Sequence, residues 1–217
     1  MKKFAYSVCQ NVLLAIILLN WAGGSIAAAQ LIDSRMTKQE AFEGLAAECP
    51  TKIRNKQKLI VVQYYSTDGK LHQGQLVLDR YLEKDIQTVF ALARTTHFPI
   101  FSVIPIAAPQ FRKDGRWDDD LSMAANNTSS FNYRLSVGTT HLSQHAYGRA
   151  IDINPVQNPY IKGTTTLPAA AKYDPAAPGT LTKNHPLVRA FLRLGWTWGG
   201  NWNSLKDYQH FEKPIKK

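Results

Sequence analysis

The chain has 217 residues and a formal net charge of +10, from 26 Lys and Arg against 16 Asp and Glu. Hydrophobic residues form 44% of it, too many for a disordered polyelectrolyte. No basic run is interleaved with aromatics, which argues against nucleic acid as a partner. The charge either serves solubility or suits an anionic polymer of the cell envelope.

The first residues read as a targeting segment. Lys2 and Lys3 precede an apolar run over residues 12–19, shorter than the ~20 residues a spanning helix needs. Ala27, Ala28 and Ala29 then present small residues at signal-peptidase spacing. Residues 1–29 are therefore expected to be a signal peptide cut after Ala29. The product is exported, to the periplasm or cell envelope or into the medium, without stable membrane insertion. Cys9 precedes the apolar run rather than following it, so no lipid anchor is expected; Cys49 is left alone and forms no internal disulfide.

Residues 30–57 read as a helical lead-in, with a turn at Pro50. Residues 58–66 and 71–79 read as two strands of a hairpin joined at Asp68-Gly69. Leu82, Ile86, Val89, Phe90 and Ala93 recur at steps of three and four, which predicts a helix over 81–94. A strand bounded by prolines is expected over 99–106, and a long irregular stretch over 107–142. Residues 148–154 read as a short strand and 155–183 as a long loop. Asn184 is expected to cap a helix that has Pro186 in its first turn and ends at Gly195. An aromatic turn (196–202) and a last strand (208–212) complete a single α+β domain.

Two segments concentrate groups able to hold a metal: residues 143–152 and 207–212. Strand alternation puts Gly148, Ala150, Asp152 and Asn154 on one face, with Ile151 and Ile153 behind. In the last strand His210 and Glu212 share a face, opposite Phe211. His145, Asp152 and His210 are thus candidate ligands of a catalytic site, in which three protein groups leave one position open. Asp207, three residues before His210, is placed to act as general base. His72, His97, His141 and His185 read as structural. Asp118, Asp119 and Asp120 read as a solvated loop rather than a calcium site.

The motif SQHAYGRAID (143–152), followed by WGGNWNSLKDYQHFE (198–212), resembles the M15 zinc metallopeptidases, the group of D-alanyl-D-alanine carboxypeptidases and L-alanyl-D-glutamate endopeptidases. SMAANNTSSFNYR (122–134) is similar to the endopeptidase-like branch. The resemblance runs over residues 58–214 and implies a Hedgehog/DD-peptidase-like fold, a small antiparallel sheet flanked by helices, within a peptidase domain over 58–217. It also implies Zn2+ held by His145, Asp152 and His210, with Asp207 as the catalytic carboxylate. Arg134 corresponds to an arginine that binds substrate or polarises its carbonyl, and Ser143 to a serine that hydrogen-bonds substrate. The plain alternative for Arg134 is an ion pair with one of Asp118 to Asp120. Trp196, Trp198 and Trp202 either line the cleft or pack in the core. The implied substrate is a peptidoglycan stem peptide, cut by a monomer; the alternatives are a wall-binding module without activity and a peptidase for a non-wall peptide.

Overall fold

The computed structural model describes residues 30–215, so the expected signal peptide lies outside the described residues. Among these residues no helix is long and apolar enough to cross a membrane. The stretch expected as a helical lead-in holds a two-residue strand, β1 (Leu31–Ile32), a single 3-10 turn over Glu40–Phe42 and one four-residue α-helix, α1 (Thr51–Arg54). Its apolar residues are nevertheless used: Ala41, Phe42 and Ile53 pack with Val77 and Phe131 in a satellite core.

The hairpin forms as expected. Strand β2 (Gln57–Tyr65) pairs antiparallel with β3 (Leu71–Asp79), from Gln57 opposite Asp79 to Tyr65 opposite Leu71. β1 adds to β3 in parallel and is tied down just beyond its end, where Asp33 accepts from the Tyr64 hydroxyl and lies 2.9 Å from His72 Nδ1. Helix α2 (Glu83–Thr95) buries Ile86, Val89, Phe90 and Ala93, the face that the three-and-four spacing marks.

The strand expected over 99–106 shrinks to β4 (Ser102–Val103), because Pro99 and Pro105 bring no N–H to a ladder. Strands β5 (Arg112–Lys113) and β6 (Arg116–Trp117) form a small hairpin. Asp118 caps helix α3 (Asp119–Ala124) by accepting from Leu121 N at 3.0 Å, so the acidic triplet starts a helix rather than forming a loop. Strand β7 (Asn127–Thr128) pairs in parallel with β4.

Strand β8 (Ala150–Asp152) leads into the long loop, which carries its own hairpin of β9 (Tyr160–Lys162) and β10 (Thr165–Leu167). Asn154 and Asn158 pin this loop: both amides donate to the Gly179 carbonyl, and Asn158 Oδ1 accepts from Leu181 N at 2.7 Å. Helix α4 (Pro186–Arg193) is capped by His185, not Asn184; the ring accepts from Leu187 N at 3.2 Å. Strands β11 (Thr197–Trp198), β12 (Lys206–Asp207) and β13 (His210–Glu212) follow.

The result is a mixed α/β fold with few helices and five small sheets among the described residues, in place of the one antiparallel sheet expected. Two of these position the functional groups: β11-β13-β8 and β10-β9-β12. A single apolar cluster runs from the β2–β3 hairpin through α2 and α4 to β8 and β13. Ile151, Ile153 and Phe211 are fully buried in it, and Phe211 stacks on Phe191 with centroids 4.1 Å apart. At ~1.5–3 kcal/mol for each fully buried side chain of this size, these residues clamp the back of the β8–β13 pair.

Candidate metal centre and cleft

Asp152 and His210 stand directly opposite each other in the β8–β13 ladder, with Ile151 opposite Phe211. Period-two alternation then turns the carboxylate and the imidazole to one side and the apolar pair to the other. His145 comes from a 3-10 turn, Gln144–Tyr147, whose start is capped by Ser143 Oγ accepting from His145 N at 3.2 Å. The turn ends at Gly148 with φ +65°; a Cβ there would lie 2.6 Å from Asp79 N, so only glycine closes it.

Three residues converge, each offering a ligand atom within 4.8 Å of the others. His210 Nδ1 lies 2.9 Å from Asp152 Oδ1, His145 Nε2 lies 3.2 Å from Asp152 Oδ2, and the two ring nitrogens are 3.1 Å apart. All three residues are buried. A tetrahedral site with metal–ligand distances of about 2.0–2.1 Å has edges of about 3.3 Å, so this spacing fits one divalent ion. The outer ring nitrogens are committed elsewhere. His145 Nδ1 is 2.6 Å from the Ser130 carbonyl, and His210 Nε2 is 3.2 Å from Glu212 Oε2. Each of these nitrogens donates its proton outward, which leaves an inward lone pair on each ring. Two lone pairs at 3.1 Å repel unless a proton or a metal ion sits between them.

The charges respond accordingly. Burial works to raise the Asp152 carboxyl, but His145 and His210 outweigh it and hold it well below the usual carboxylate range. Burial works to lower His210, yet its bonds to Asp152 and Glu212 raise it to about 10. The metal-free site therefore keeps a proton at neutral pH that a metal ion must displace. Metal affinity is expected to climb by about tenfold per pH unit from pH 6 to 8, with close to one proton released on binding. Calorimetry in buffers of different ionisation enthalpy reads that proton directly. Without metal, the His210 proton contributes stability that is full below its ordinary value of 6.5 and lost as pH rises through about 10.

Asp207 lines the same cleft, and its Oδ1 is enclosed without a hydrogen-bond partner. Burial pushes its carboxyl up to about 6, with Asp152 adding to the rise and the His210 charge opposing it. Gly199 makes room for it: a Cβ on Gly199 would meet Asp207 O at 2.5 Å and Asp207 Cβ at 2.8 Å. Gly199→Ala should therefore displace Asp207 and cost about 1–3 kcal/mol of stability, while the bound metal stays; thermal unfolding together with metal content checks this.

The cleft encloses about 300 Å³. Its walls carry Tyr160 from β9, Leu167 from β10, Trp202, Leu205, Val137 and Leu142. Trp202 is the cleft tryptophan, its ring 5.4 Å from that of His210, whereas Trp196 and Trp198 are buried in the core. Arg134 lines the cleft and is paired with Asp119 at 2.7 Å. Ser143 also lines the cleft, with its Oγ already engaged as the cap of the His145 turn.

Residues 137–213 match the family model described as D-alanyl-D-alanine carboxypeptidase, of the M15 peptidases, and all four groups of the centre fall inside the match. The likeness to the M15 peptidases lies in this segment. No curated protein and no solved structure matches the chain. The M15 segment supplies His145, Asp152, Asp207 and His210, while Asp119, Ser130 and Arg134 come from the chain before it. Sequence reasoning missed Ser130, which acts through its backbone carbonyl and so leaves no trace in residue type. It also missed Tyr160, placed beside Asp207 by β-pairing across the long loop. His72, His97 and His185 have the structural places expected of them: a hydrogen bond to Asp33, a stack on Tyr65 and a helix cap.

Proposed function

We infer that the chain is an exported zinc-dependent peptidase that hydrolyses peptidoglycan stem peptides. The observation that carries this reading is the triangle of His145, Asp152 and His210 at 2.9–3.2 Å, beside a cleft lined by a carboxylate with an elevated pKa. Two imidazoles and one carboxylate are a donor set that zinc accepts, with a fourth position left for water or substrate. When bound, such an ion supplies Lewis-acid polarisation of a carbonyl and acidifies water.

The chain's own residues do the rest. Ser130 and Glu212 hold the two rings in the tautomers that present lone pairs inward. Asp207 takes the proton of the attacking water and returns it to the departing amine, a role suited to a carboxyl brought close to neutral pH. Arg134, steadied by Asp119, presents a guanidinium toward the carboxylates in which stem peptides are rich. The positive balance of the chain favours approach to the anionic wall. The start of the sequence, with Lys2, Lys3 and the apolar run after them, supports export.

The test is digestion of defined muropeptides with and without chelator, read by mass. Fragments from either the D-alanyl-D-alanine or the L-alanyl-D-glutamate bond are expected, lost with chelator and restored by zinc. Intact muropeptides beside a cleaved non-wall peptide would replace the substrate. Intact peptides throughout would leave a wall-binding module.

A further inference from the structure

Six buried side-chain polar atoms lack a hydrogen-bond partner among the described residues, and three of them, on Arg134, Asp207 and Gln209, belong to residues lining the cleft. An unpaired buried polar atom costs ~1–3 kcal/mol, so such a cluster marks where a ligand completes the bonding. Asp207 already has a part in proton transfer, and Arg134 is steadied by Asp119. Gln209 acts on the Asp207 carboxyl, working to lower it against burial, but its carbonyl oxygen has no part in what precedes.

Gln209 is 2% exposed, and its Nε2 lies 3.8 Å from Met123 Sδ. A thioether accepts weakly and never donates, so the NH2 group is the end that faces Met123, and the carbonyl Oε1 is enclosed without a partner among the described residues. The residue stands between Asp207 and His210 in sequence and lines the cleft with both. What a peptide brings to such a place is a backbone N–H. A neutral acceptor satisfies that donor without adding a further negative charge beside Asp152, Asp207 and Glu212. A hydrocarbon side chain would leave the donor unpaired.

We propose that Gln209 Oε1 accepts a backbone N–H of the bound peptide and so sets the register of the substrate chain against Asp207 and the metal centre. This rests on the peptidase reading above. The experiment uses synthetic stem pentapeptides in which each backbone amide in turn is replaced by an ester, which removes one N–H donor. For the wild-type protein with zinc, kcat/KM is expected to fall about 2- to 10-fold at one replaced position, relative to the same replacement in Gln209→Met. In Gln209→Met, the all-amide peptide carries that loss, and the ester at that position brings no further one. Because each ratio is taken within one protein, the fraction folded cancels. Should Gln209→Met fail to fold, Gln209→Asn, with its amide one methylene short, is read the same way. Equal ester-to-amide ratios at every position in wild type and variant would overturn the assignment of Gln209 alone. A wild-type protein that cuts none of the peptides would overturn the stem-peptide reading and this proposal with it.

Discussion

Asp207→Ala is expected to keep its metal and lose turnover by about 10²–10⁴-fold, the usual contribution of one general acid–base group. The residue is no member of the ligand triangle, so metal content, read by mass spectrometry of the native protein, should stay at wild-type level. Its position explains why the loss should be large. Its Oδ1 is enclosed without a partner among the described residues, and burial holds its pKa at about 6. A carboxyl in that range is ionised often enough at neutral pH to take a proton and acid enough to give it back. Asp207→Glu places the same group one methylene deeper into the cleft and should recover part of the rate. Near-normal turnover in Asp207→Ala would remove the residue from proton transfer altogether.

Asp152→Ala should abolish metal binding and activity together, and should also destabilise the metal-free fold. Asp152 is 5% exposed and sits within 3.2 Å of both imidazoles, so its removal leaves His145 and His210 facing each other without the carboxylate. Breaking a buried ion pair from one side costs about 3–5 kcal/mol. Thermal unfolding separates the two effects. The wild-type midpoint should fall on chelation, because a ligand bound only by the native state stabilises it, by about 2.7 kcal/mol at one hundred times its dissociation constant. The variant should start lower and ignore the chelator. A variant that unfolds at the wild-type temperature and still responds to chelator would mean that the ion is held elsewhere.

Both expectations depend on how firmly the ligands are held. The β8–β13 pair is closed on its rear face by Ile151, Phe211 and the Phe191 stack, and Asp152 is bonded along its other edge to Ser129 in both directions. His145 is fixed by its capped turn and by the Ser130 carbonyl, and His210 by Glu212. Buried side chains with every outer atom bonded have little freedom to drift from the spacing that one ion requires.

Much of this was legible along the chain. Alternation around Asp152 and His210 is a local property of extended backbone, so the faces of both strands and the apolar residues behind them follow from residue order alone. The hairpin at Asp68-Gly69, the buried face of α2 and the stop at Gly195 are local in the same sense. So is the motif of His145, Asp152, Asp207 and His210, since side-chain chemistry at set spacing is what a sequence carries. Where local signals competed, the reading failed. His185 rather than Asn184 caps α4, and Asp118 starts a helix where an acidic triplet looked like loop. Only the tertiary structure decided the rest: the direct pairing of His210 with Asp152, the Ser130 carbonyl that turns His145, the pairing of Arg134 with Asp119, and the cleft places of Tyr160, Trp202 and Gln209. These are contacts between segments far apart in the chain, several of them made by backbone atoms that every residue shares. Their formation depends on the summed packing of the whole core and leaves no mark at any single position.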